Sequence, residues 1–410
     1  MKTGNKHLKT DANGFVLPLV IVLIIVLFFI GGGLLTLGFE ARIQALRNTQ
    51  DIYARAAADA GVAQALLKMN NKILAEPTWD NSTLGLLAET DVHLPNSNAD
   101  YSFNITGSPA TGFTIVSTGT SGIRQRTIYA TTRLKSVFDY TVLVKRNLVL
   151  YPNTSVIGYN STTGEVGVPI QIGTASLEDD SIIILNNATV DGDVLVGVGG
   201  EPDDIINSKG VITGITDDLP QIVFFPEIDK PDLSDATPAN LTIKGTTVTI
   251  TGSGNYDSIN LSQQATISGI LEIDGTVQLY VTGDIEIGQG CEIVIKNNGS
   301  SLELYLVGDM SAKEDAGINN ETAIPGNFKL FGVGSEEQTI ELKAKNDFYG
   351  AVYAPYADIS IKAGGDIFGS FTGDNFEMKS KSVISGDAAL LDVDINETGV
   401  YFAINSWREE

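Results

Sequence analysis

The sequence predicts an α+β N-terminal module, made of one long hydrophobic helix and a small antiparallel sheet, followed by an all-β parallel β-solenoid (a right-handed β-helix). Three observations lead to this fold class. An uncharged apolar stretch runs from Gly14 to Phe39 and continues as an amphipathic pattern. Three alternating strand-like runs follow between residues 101 and 134. Short β-rich runs then recur at offsets of 17 to 26 residues, which is typical of a repeat architecture.

The composition and net charge of the chain argue against a nucleic-acid partner and against sites built from several cysteines. The 410 residues include 26 Lys and Arg against 50 Asp and Glu, a formal net charge of −24. Nucleic acid repels such an acidic chain, so we expect no nucleic-acid partner. The one cysteine, Cys291, excludes an internal disulfide and a cysteine-based zinc site.

The first 39 residues have the pattern of a membrane anchor. A basic leader, residues 1–14, precedes the predicted transmembrane part of the helix, residues 15–39. Those residues would extend ~37 Å as a helix, enough to cross a bilayer. Because the leader is basic, it should stay in the cytoplasm. We therefore expect a single-pass membrane protein that contacts membrane lipid, with its bulk extracytoplasmic or on the cell surface.

The helix is predicted to continue over residues 40–75 with an amphipathic pattern. From Phe39, steps of four and three residues keep a set of side chains on one face. The apolar members of this helix-packing stripe are Ile43, Leu46, Tyr53, Ala57, Ala60, Leu67 and Leu74. Consecutive glycines at Gly31–Gly33 predict a soft point in the rod.

A helix that is apolar in its first half and amphipathic in its second resembles a type IV pilin. The pair Gly14-Phe15 resembles the junction that prepilin peptidase cleaves. This resemblance implies that Gly14 ends the leader and that Phe15 becomes an N-methylated N-terminus. Leu19 occupies the position at which major pilins carry Glu, a departure shared by certain minor pilins and pseudopilins.

The N-terminal residues, about 14–72, are more similar to PilX-type pilus-assembly proteins. Their helix often ends in a pattern seen here as Ala60-Gly-Val-Ala-Gln-Ala-Leu66. The resemblance implies other pilin or pseudopilin subunits as partners through the helix, with prepilin peptidase as a further partner. A plain signal-anchor helix with no link to a pilus is the alternative.

A small antiparallel β meander is predicted over residues 76–136. Three strands alone are marginally stable, so the alanine-rich face of the helix should cover them. The solenoid is predicted over residues 137–393, with a Pro-rich insertion at 217–240, and a tail over residues 394–410. The repeats that predict the solenoid align Val277 with Leu302 and Phe328, Ile340 with Ile359 and Phe376, and Leu148 with Ile182. A sandwich of antiparallel strands is the alternative.

The order of these C-terminal segments is similar to a domain of unknown function that often follows PilX-type N-termini. The resemblance is most specific at Phe348-Tyr-Gly-Ala-Val-Tyr-Ala-Pro355 and includes Ser406-Trp-Arg-Glu409. It implies no activity.

No catalytic, cofactor or metal motif is evident. Carboxylates at equal places in neighbouring repeats could serve a polysaccharide lyase or glycosidase, namely Asp284 with Asp309 and Asp347 with Asp366. Each follows Gly or Asn at a repeat turn, where Asp is a common turn residue. Asp191 and Asp193 are candidates for calcium. His7 and His93 have no partner at helical spacing.

These observations predict a non-enzymatic, minor pilin-like or pilus-assembly structural protein without a cofactor. It would display the solenoid for assembly, adhesion or surface contact, with the surface or glycan ligand left open. Two alternatives remain: an anchored carbohydrate-active enzyme on the same scaffold, and an anchored adhesin with no pilus system.

Overall fold

The structure is a computed structural model that describes residues 16–75, 79–109, 111–233, 238–334, 337–379 and 382–410. The described residues fall into two compact units. The first contains the helix up to residue 69, residues 80–133 and residues 404–410. The second contains residues 70–79 and 134–403.

One helix and one antiparallel sheet make up the first unit. Helix α1, Val16–Ala75, has 60 residues and is therefore ~90 Å long. A short 3-10 turn follows at Asn81–Leu87. The strands of the five-stranded sheet are β1 Glu89–His93, β2 Asp100–Ser108, β3 Gly112–Ser121, β4 Arg124–Ser136 and β30 Val400–Glu409. Their order in the sheet is β1-β2-β3-β4-β30.

The sequence forms this sheet because its runs alternate between apolar and polar residues. Phe103 and Ile105 on β2, and Phe113 and Ile115 on β3, are buried, while their neighbours are more exposed. Strand β30 adds to the edge of β4. Thr127 and Glu410 exchange two backbone hydrogen bonds of 3.2 and 2.8 Å. The end of the chain therefore completes the sheet that the helix covers.

The second unit is built almost entirely of short parallel strands. They form a 21-stranded and a 4-stranded sheet, with a one-turn helix α2 at Pro202–Ile205 and 3-10 turns at Pro325–Asn327 and Ala388–Leu391. The strands before the Pro-rich segment are β5 Val142–Val144, β6 Leu148–Leu150, β7 Ser155–Tyr159, β8 Gln171–Thr174, β9 Ile182–Ile184, β10 Thr189–Val190, β11 Asp193–Val196, β12 Ile206–Ser208, β13 Val211–Ile212 and β14 Thr216–Asp218.

Longer strands follow the Pro-rich segment. They are β15 Ala239–Lys244, β16 Thr247–Ile250, β17 Gly254–Ser262, β18 Ile270–Ile273, β19 Thr276–Val281, β20 Ile285–Ile287, β21 Glu292–Ile295, β22 Ser301–Leu306, β23 Met310–Ala312, β24 Gly317–Asn320, β25 Phe328–Gly332, β26 Gln338–Ala344, β27 Phe348–Ala363, β28 Ile367–Met378 and β29 Val383–Asp387.

The repeat alignments found in the sequence are confirmed as parallel strand registers. Val277 pairs with Leu302, and Leu302 pairs with Phe328. The remaining alignments appear as the pairs Ile340 with Ile359, Ile359 with Phe376, and Leu148 with Ile182. Matching apolar residues stack on one another because parallel in-register strands bring equivalent side chains to one face.

The fold class predicted from those repeats, a right-handed β-solenoid over residues 137–393, is nevertheless wrong. In such a solenoid each coil stacks on the preceding one. Here β28 and β29, late in the chain, pair with β5, β6 and β7, early in it. The strands form a closed, barrel-like parallel arrangement with extra strands. Repeat similarity fixes the register of neighbours but not which repeats become neighbours, so the sequence could not exclude this arrangement.

The two strands on either side of the Pro-rich segment, β14 and β15, are far from each other in the strand pairings. Successive parallel pairings connect β14 to β11, β11 to β8, β8 to β5, β5 to β28, and β28 to β27. They continue through β25, β22, β19 and β17 to β15. The segment between β14 and β15 therefore passes other strands of the set, including β27, where Tyr353 contacts Pro226. Its prolines suit an extended connection that donates few backbone hydrogen bonds.

An outward-facing column of aromatic rings lies where this segment runs. Tyr280, Tyr305, Phe331 and Tyr353 are in register on four neighbouring strands. Tyr353 Oη donates a hydrogen bond of 2.8 Å to the carbonyl oxygen of Pro226. Phe225 and Ile228, which flank Pro226, pack on the same cluster of side chains. The Pro-rich segment is thus attached to the β domain by apolar contact and a buried hydrogen bond.

Candidate functional site

The first half of α1 presents an uninterrupted apolar surface. Every Leu, Ile, Val and Phe side chain from Leu17 to Phe39 is exposed, at 42% or more of its surface. Within the described residues, α1 is long and apolar enough to cross a membrane by length and composition. The predicted cleavage pair, Gly14 and Phe15, and the leader lie outside the described residues. Leu19 lies on α1 and is exposed.

The glycines at Gly31–Gly33 do not interrupt the helix. The structure has helical backbone on both sides of them and through them. Thr36 Oγ1 donates to the carbonyl oxygen of Gly33 at 2.9 Å. A Cβ atom at any of the three glycines would meet nothing within 4 Å. No close neighbour therefore explains why glycine is present at these positions.

The second half of α1 buries one face of small residues against the antiparallel sheet. Ala54, Ala58 and Ala65 are fully buried. A Cβ on Gly61 would lie 2.2 Å from Ser117 Oγ, which donates a hydrogen bond of 2.8 Å to the carbonyl oxygen of Ala58. A small residue is required at Gly61 because the side chains of Ser117 and Tyr101 leave no room for a Cβ atom there.

Ion pairs fix the same helix segment to the sheet. Arg126 donates two hydrogen bonds of 2.8 Å to the carboxylate of Asp51, and these bonds hold the pKa of Asp51 below its ordinary value. Lys68 Nζ lies 2.7 Å from Glu89 Oε1. No local sequence pattern predicts these pairs, because the two partners of each pair are far apart in the chain.

The predicted helix-packing stripe divides between two environments. Ala57 is buried, and Ile43 and Ala60 are half-buried. Leu46, Tyr53, Leu67 and Leu74 are 38–55% exposed. These exposed members, together with Phe39 and Ala60, recur every seven residues and so follow one line along the helix. The structure therefore leaves an apolar line, Phe39 to Leu74, beside the face that the sheet covers.

The carboxylates considered for catalysis serve as acceptors for backbone amides. Asp284 Oδ1 accepts the amide of Asp309 at 2.9 Å, and Asp309 Oδ1 accepts that of Thr339 at 2.8 Å. Asp347 and Asp366 repeat the pattern, at 2.9 Å to the amide of Asp366 and 3.0 Å to that of Val383. Each carboxylate thus links its turn to the next strand.

The remaining candidates do not come together as a metal site. Asp193 Oδ1 accepts the amide of Ile215 at 3.1 Å, and Asp191 Oδ1 accepts the hydroxyl of Thr213 at 2.6 Å. His93 is exposed and lies 3.0 Å from Asp100. Over the part of the chain that the structure describes, no three His, Cys, Asp or Glu residues are grouped as metal ligands; His7 lies outside it.

Part of the second unit matches a family model, and the chain is similar to a solved structure. A family model described as "Domain of unknown function (DUF7305)" matches residues 227–393. No curated protein matches the chain. Among solved structures, the chain is similar to the competence-associated pilin ComZ from Thermus thermophilus, with 14% identity over 88% of this chain and 98% of that chain and a TM-score of 0.23. A TM-score of that size supports no argument about fold or function.

Proposed function

We propose that this protein is a membrane-anchored, PilX-type minor pilin-like structural subunit. It would display its acidic β domain outside the cell membrane, for assembly or contact with a surface. One observation carries the proposal: α1 is a single 60-residue helix whose first half is apolar on every side and whose second half keeps an exposed apolar line. The first half suits lipid, and the line suits packing against the helices of other subunits.

Mass spectrometry of the N-terminus tests the anchor and its processing. The pilin-like function predicts a mature chain that begins at Phe15 and carries an N-methyl group. Retention of Met1 in the membrane fraction would leave an anchored adhesin with no pilus system and would contradict the proposal.

Substitutions on the exposed line test subunit packing. We expect Leu46→Asp and Leu67→Asp to remove the protein from sheared surface filaments of the host while leaving its membrane level unchanged. Both side chains are more than 50% exposed, so the fold of a single subunit should tolerate the change. Ile52→Asp is the matched control, because Ile52 is 67% exposed but lies away from the line. Loss of filament incorporation by the control alone would contradict packing along the line.

We also propose that the protein is not an enzyme. The amide contacts of Asp284, Asp309, Asp347 and Asp366 support this, because each carboxylate already has a role within the fold. Replacing all four by Asn preserves an acceptor oxygen and removes the negative charge. We expect an intact fold and an unchanged surface phenotype. Glycan turnover by the parent protein that disappears in this variant would establish the carbohydrate-active alternative.

A further inference from the structure

Two pairs of strands in the second unit have a free edge. Within the described residues, β12 pairs only with β9 and β13 only with β10. In the same way, β15 pairs only with β17 and β16 only with β18. Strands β12 and β13 form the first edge, and β15 and β16 form the second. The backbone N–H and C=O groups on the outer side of each strand are available to a further strand.

The apolar core of this unit is covered incompletely at these two edges. Five hydrophobic side chains of the edge strands pack on the core but are only partly buried, namely Ile206, Ile212, Leu241, Val248 and Ile250. Their partners on the adjoining strands are fully buried, namely Ile182, Val190, Ile259, Leu271 and Ile273. A further strand on each edge would therefore remove this remaining apolar surface from water.

The two edges have the same construction. In each, a two-residue connection joins the strands, Lys209-Gly210 in the first edge and Gly245-Thr246 in the second. One series of parallel pairings leads from β12 through β9, β6, β28, β27, β26, β23, β20 and β17 to β15. A second copy that adds its β15 to β12 would therefore continue this series in the same strand direction.

The charges of the two edges are complementary. Residues 201–218, which form and flank the first edge, contain five carboxylates and one basic residue, Lys209. Residues 239–250, which form the second edge, contain no acidic residue and one exposed lysine, Lys244. Contact between two first edges would bring like charges together, whereas contact of a first edge with a second edge places a cation beside an acidic surface.

The matching edge of a second copy covers these surfaces more completely than an extended peptide does. A single peptide strand would pair with β12 or with β13 and leave the other strand open. The second edge supplies two parallel strands, a short connection, partly buried apolar side chains and a positive charge. Eight strands lie between β12 and β15 in the pairings, so the two edges of one molecule do not meet.

We propose that copies of this chain associate head to tail, with the first edge of one copy adding to the second edge of the next. Ile206 and Ile212 then pack against Leu241 and Val248 of the neighbour, and backbone hydrogen bonds join the strands. The contact is heterologous, because its two surfaces differ, so a row of copies stays open at both ends. It is separate from the packing of α1 that the proposed function requires.

Cysteine cross-linking between two full-length variants in detergent tests this proposal, because the one native cysteine, Cys291, is fully buried. Asn207→Cys marks the first edge and Thr242→Cys the second, at exposed positions. Neighbouring strands lie only ~4.8 Å apart, within reach of a short bismaleimide. We expect at least about 10-fold more cross-linked dimer in a mixture of the two variants than in either alone, since only the mixture joins the two kinds of edge.

The other outcomes of this experiment contradict the proposal. Efficient cross-linking of Asn207→Cys with itself would show a symmetric contact instead. Thr163→Cys is the matched control, because Thr163 is exposed and lies outside both edges. A mixture of Thr163→Cys with Thr242→Cys that cross-links as well as the test mixture would show non-specific association. The absence of cross-linked dimer from every mixture would overturn the head-to-tail contact.

Two substitutions on the second edge separate loss of contact from misfolding. Val248→Asp places a carboxylate in the apolar contact and should reduce cross-linking about 10-fold or more. Lys244→Glu reverses the charge at an exposed position, so it should reduce cross-linking while leaving the melting temperature unchanged. Lys345→Glu, at an exposed position outside both edges, should cross-link as the parent pair does. Unchanged cross-linking by both edge variants would refute the assignment.

Discussion

A Cβ atom on Gly119 would lie 2.0 Å from the carbonyl oxygen of Ala54. The same atom would lie 2.4 Å from the amide nitrogen of Ala58. Strand β3 therefore contacts the backbone of α1 directly. The alanine-rich half of the helix and this one glycine set how closely the helix and the sheet approach.

Gly119→Ala should destabilise the helix–sheet packing. The added methyl group cannot fit without separating two backbones, so we expect a loss of about 1–3 kcal/mol in the free energy of unfolding. Denaturant titration followed by circular dichroism measures it. Gly85→Ala is the control, since a Cβ there would meet nothing within 4 Å. Equal effects of the two substitutions would contradict the close approach.

Asp309 should stabilise the β domain through its hydrogen bond rather than its charge. Asp309→Ala removes the acceptor for the amide of Thr339 and should cost about 1 kcal/mol. Asp309→Asn keeps an acceptor oxygen, so its cost in the free energy of unfolding should be only a small fraction of the cost of Asp309→Ala. Thermal unfolding of both variants measures the difference. A loss as large for Asn as for Ala would point instead to a role for the negative charge.

Tyr353→Phe should loosen the Pro-rich segment. Tyr353 is only 1% exposed, and the change leaves the carbonyl oxygen of Pro226 without its 2.8 Å hydrogen bond. We expect a loss of about 1–3 kcal/mol and faster limited proteolysis near residues 226–230. Tyr356→Phe is a suitable control, because the Tyr356 hydroxyl makes no hydrogen bond with any residue that the structure describes, and its ring contact with Lys145 is kept. Equal proteolysis rates for the two variants would contradict this attachment.

The buried tyrosines should make stability fall at alkaline pH. Burial raises the pKa of Tyr159, Tyr305 and Tyr353 well above that of an exposed tyrosine. The unfolded chain therefore loses these protons first, near pH ~10. Below that pH the protonated tyrosines contribute fully to the free energy of unfolding, and their contribution declines as the pH rises above it. Absorbance at the tyrosinate band should rise only with unfolding for these three residues; their titration in the native state would contradict their burial.

Gln338→Glu should introduce an acid-dependent stability. Gln338 is 4% exposed, and its Nε2 donates to the carbonyl oxygens of Leu306, at 3.1 Å, and of Gly308. The carboxylate of the variant cannot donate a hydrogen bond to these two carbonyl oxygens and would be repelled by them. The pKa of this carboxyl group in the folded state should therefore be raised. The substitution then lowers the free energy of unfolding most at neutral pH, and this loss becomes smaller as the pH falls through that raised pKa. Gln338→Met should lose stability independently of pH; the same pH profile for both variants would refute the explanation.

The sequence predicted those features of the fold that depend on residues close to one another in the chain. The apolar segment ending at Phe39 and the register of Val277 with Leu302 were both predicted from it. The exposed apolar line of α1 was predicted only in part, because Ala57 lies under the sheet whereas Leu46 and Leu67 do not.

The apolar helix, the alternating strands and the parallel registers of neighbouring repeats follow from the amino-acid sequence alone, because each depends on residues at short and regular spacing. Only the folded chain shows that Phe376 pairs with Leu148 and that the carbonyl oxygen of Pro226 accepts a hydrogen bond from Tyr353. Both contacts join residues that are far apart in the sequence, and other apolar repeats would pair with Leu148 equally well. The choice between them is made by how the whole core closes, which no local pattern encodes.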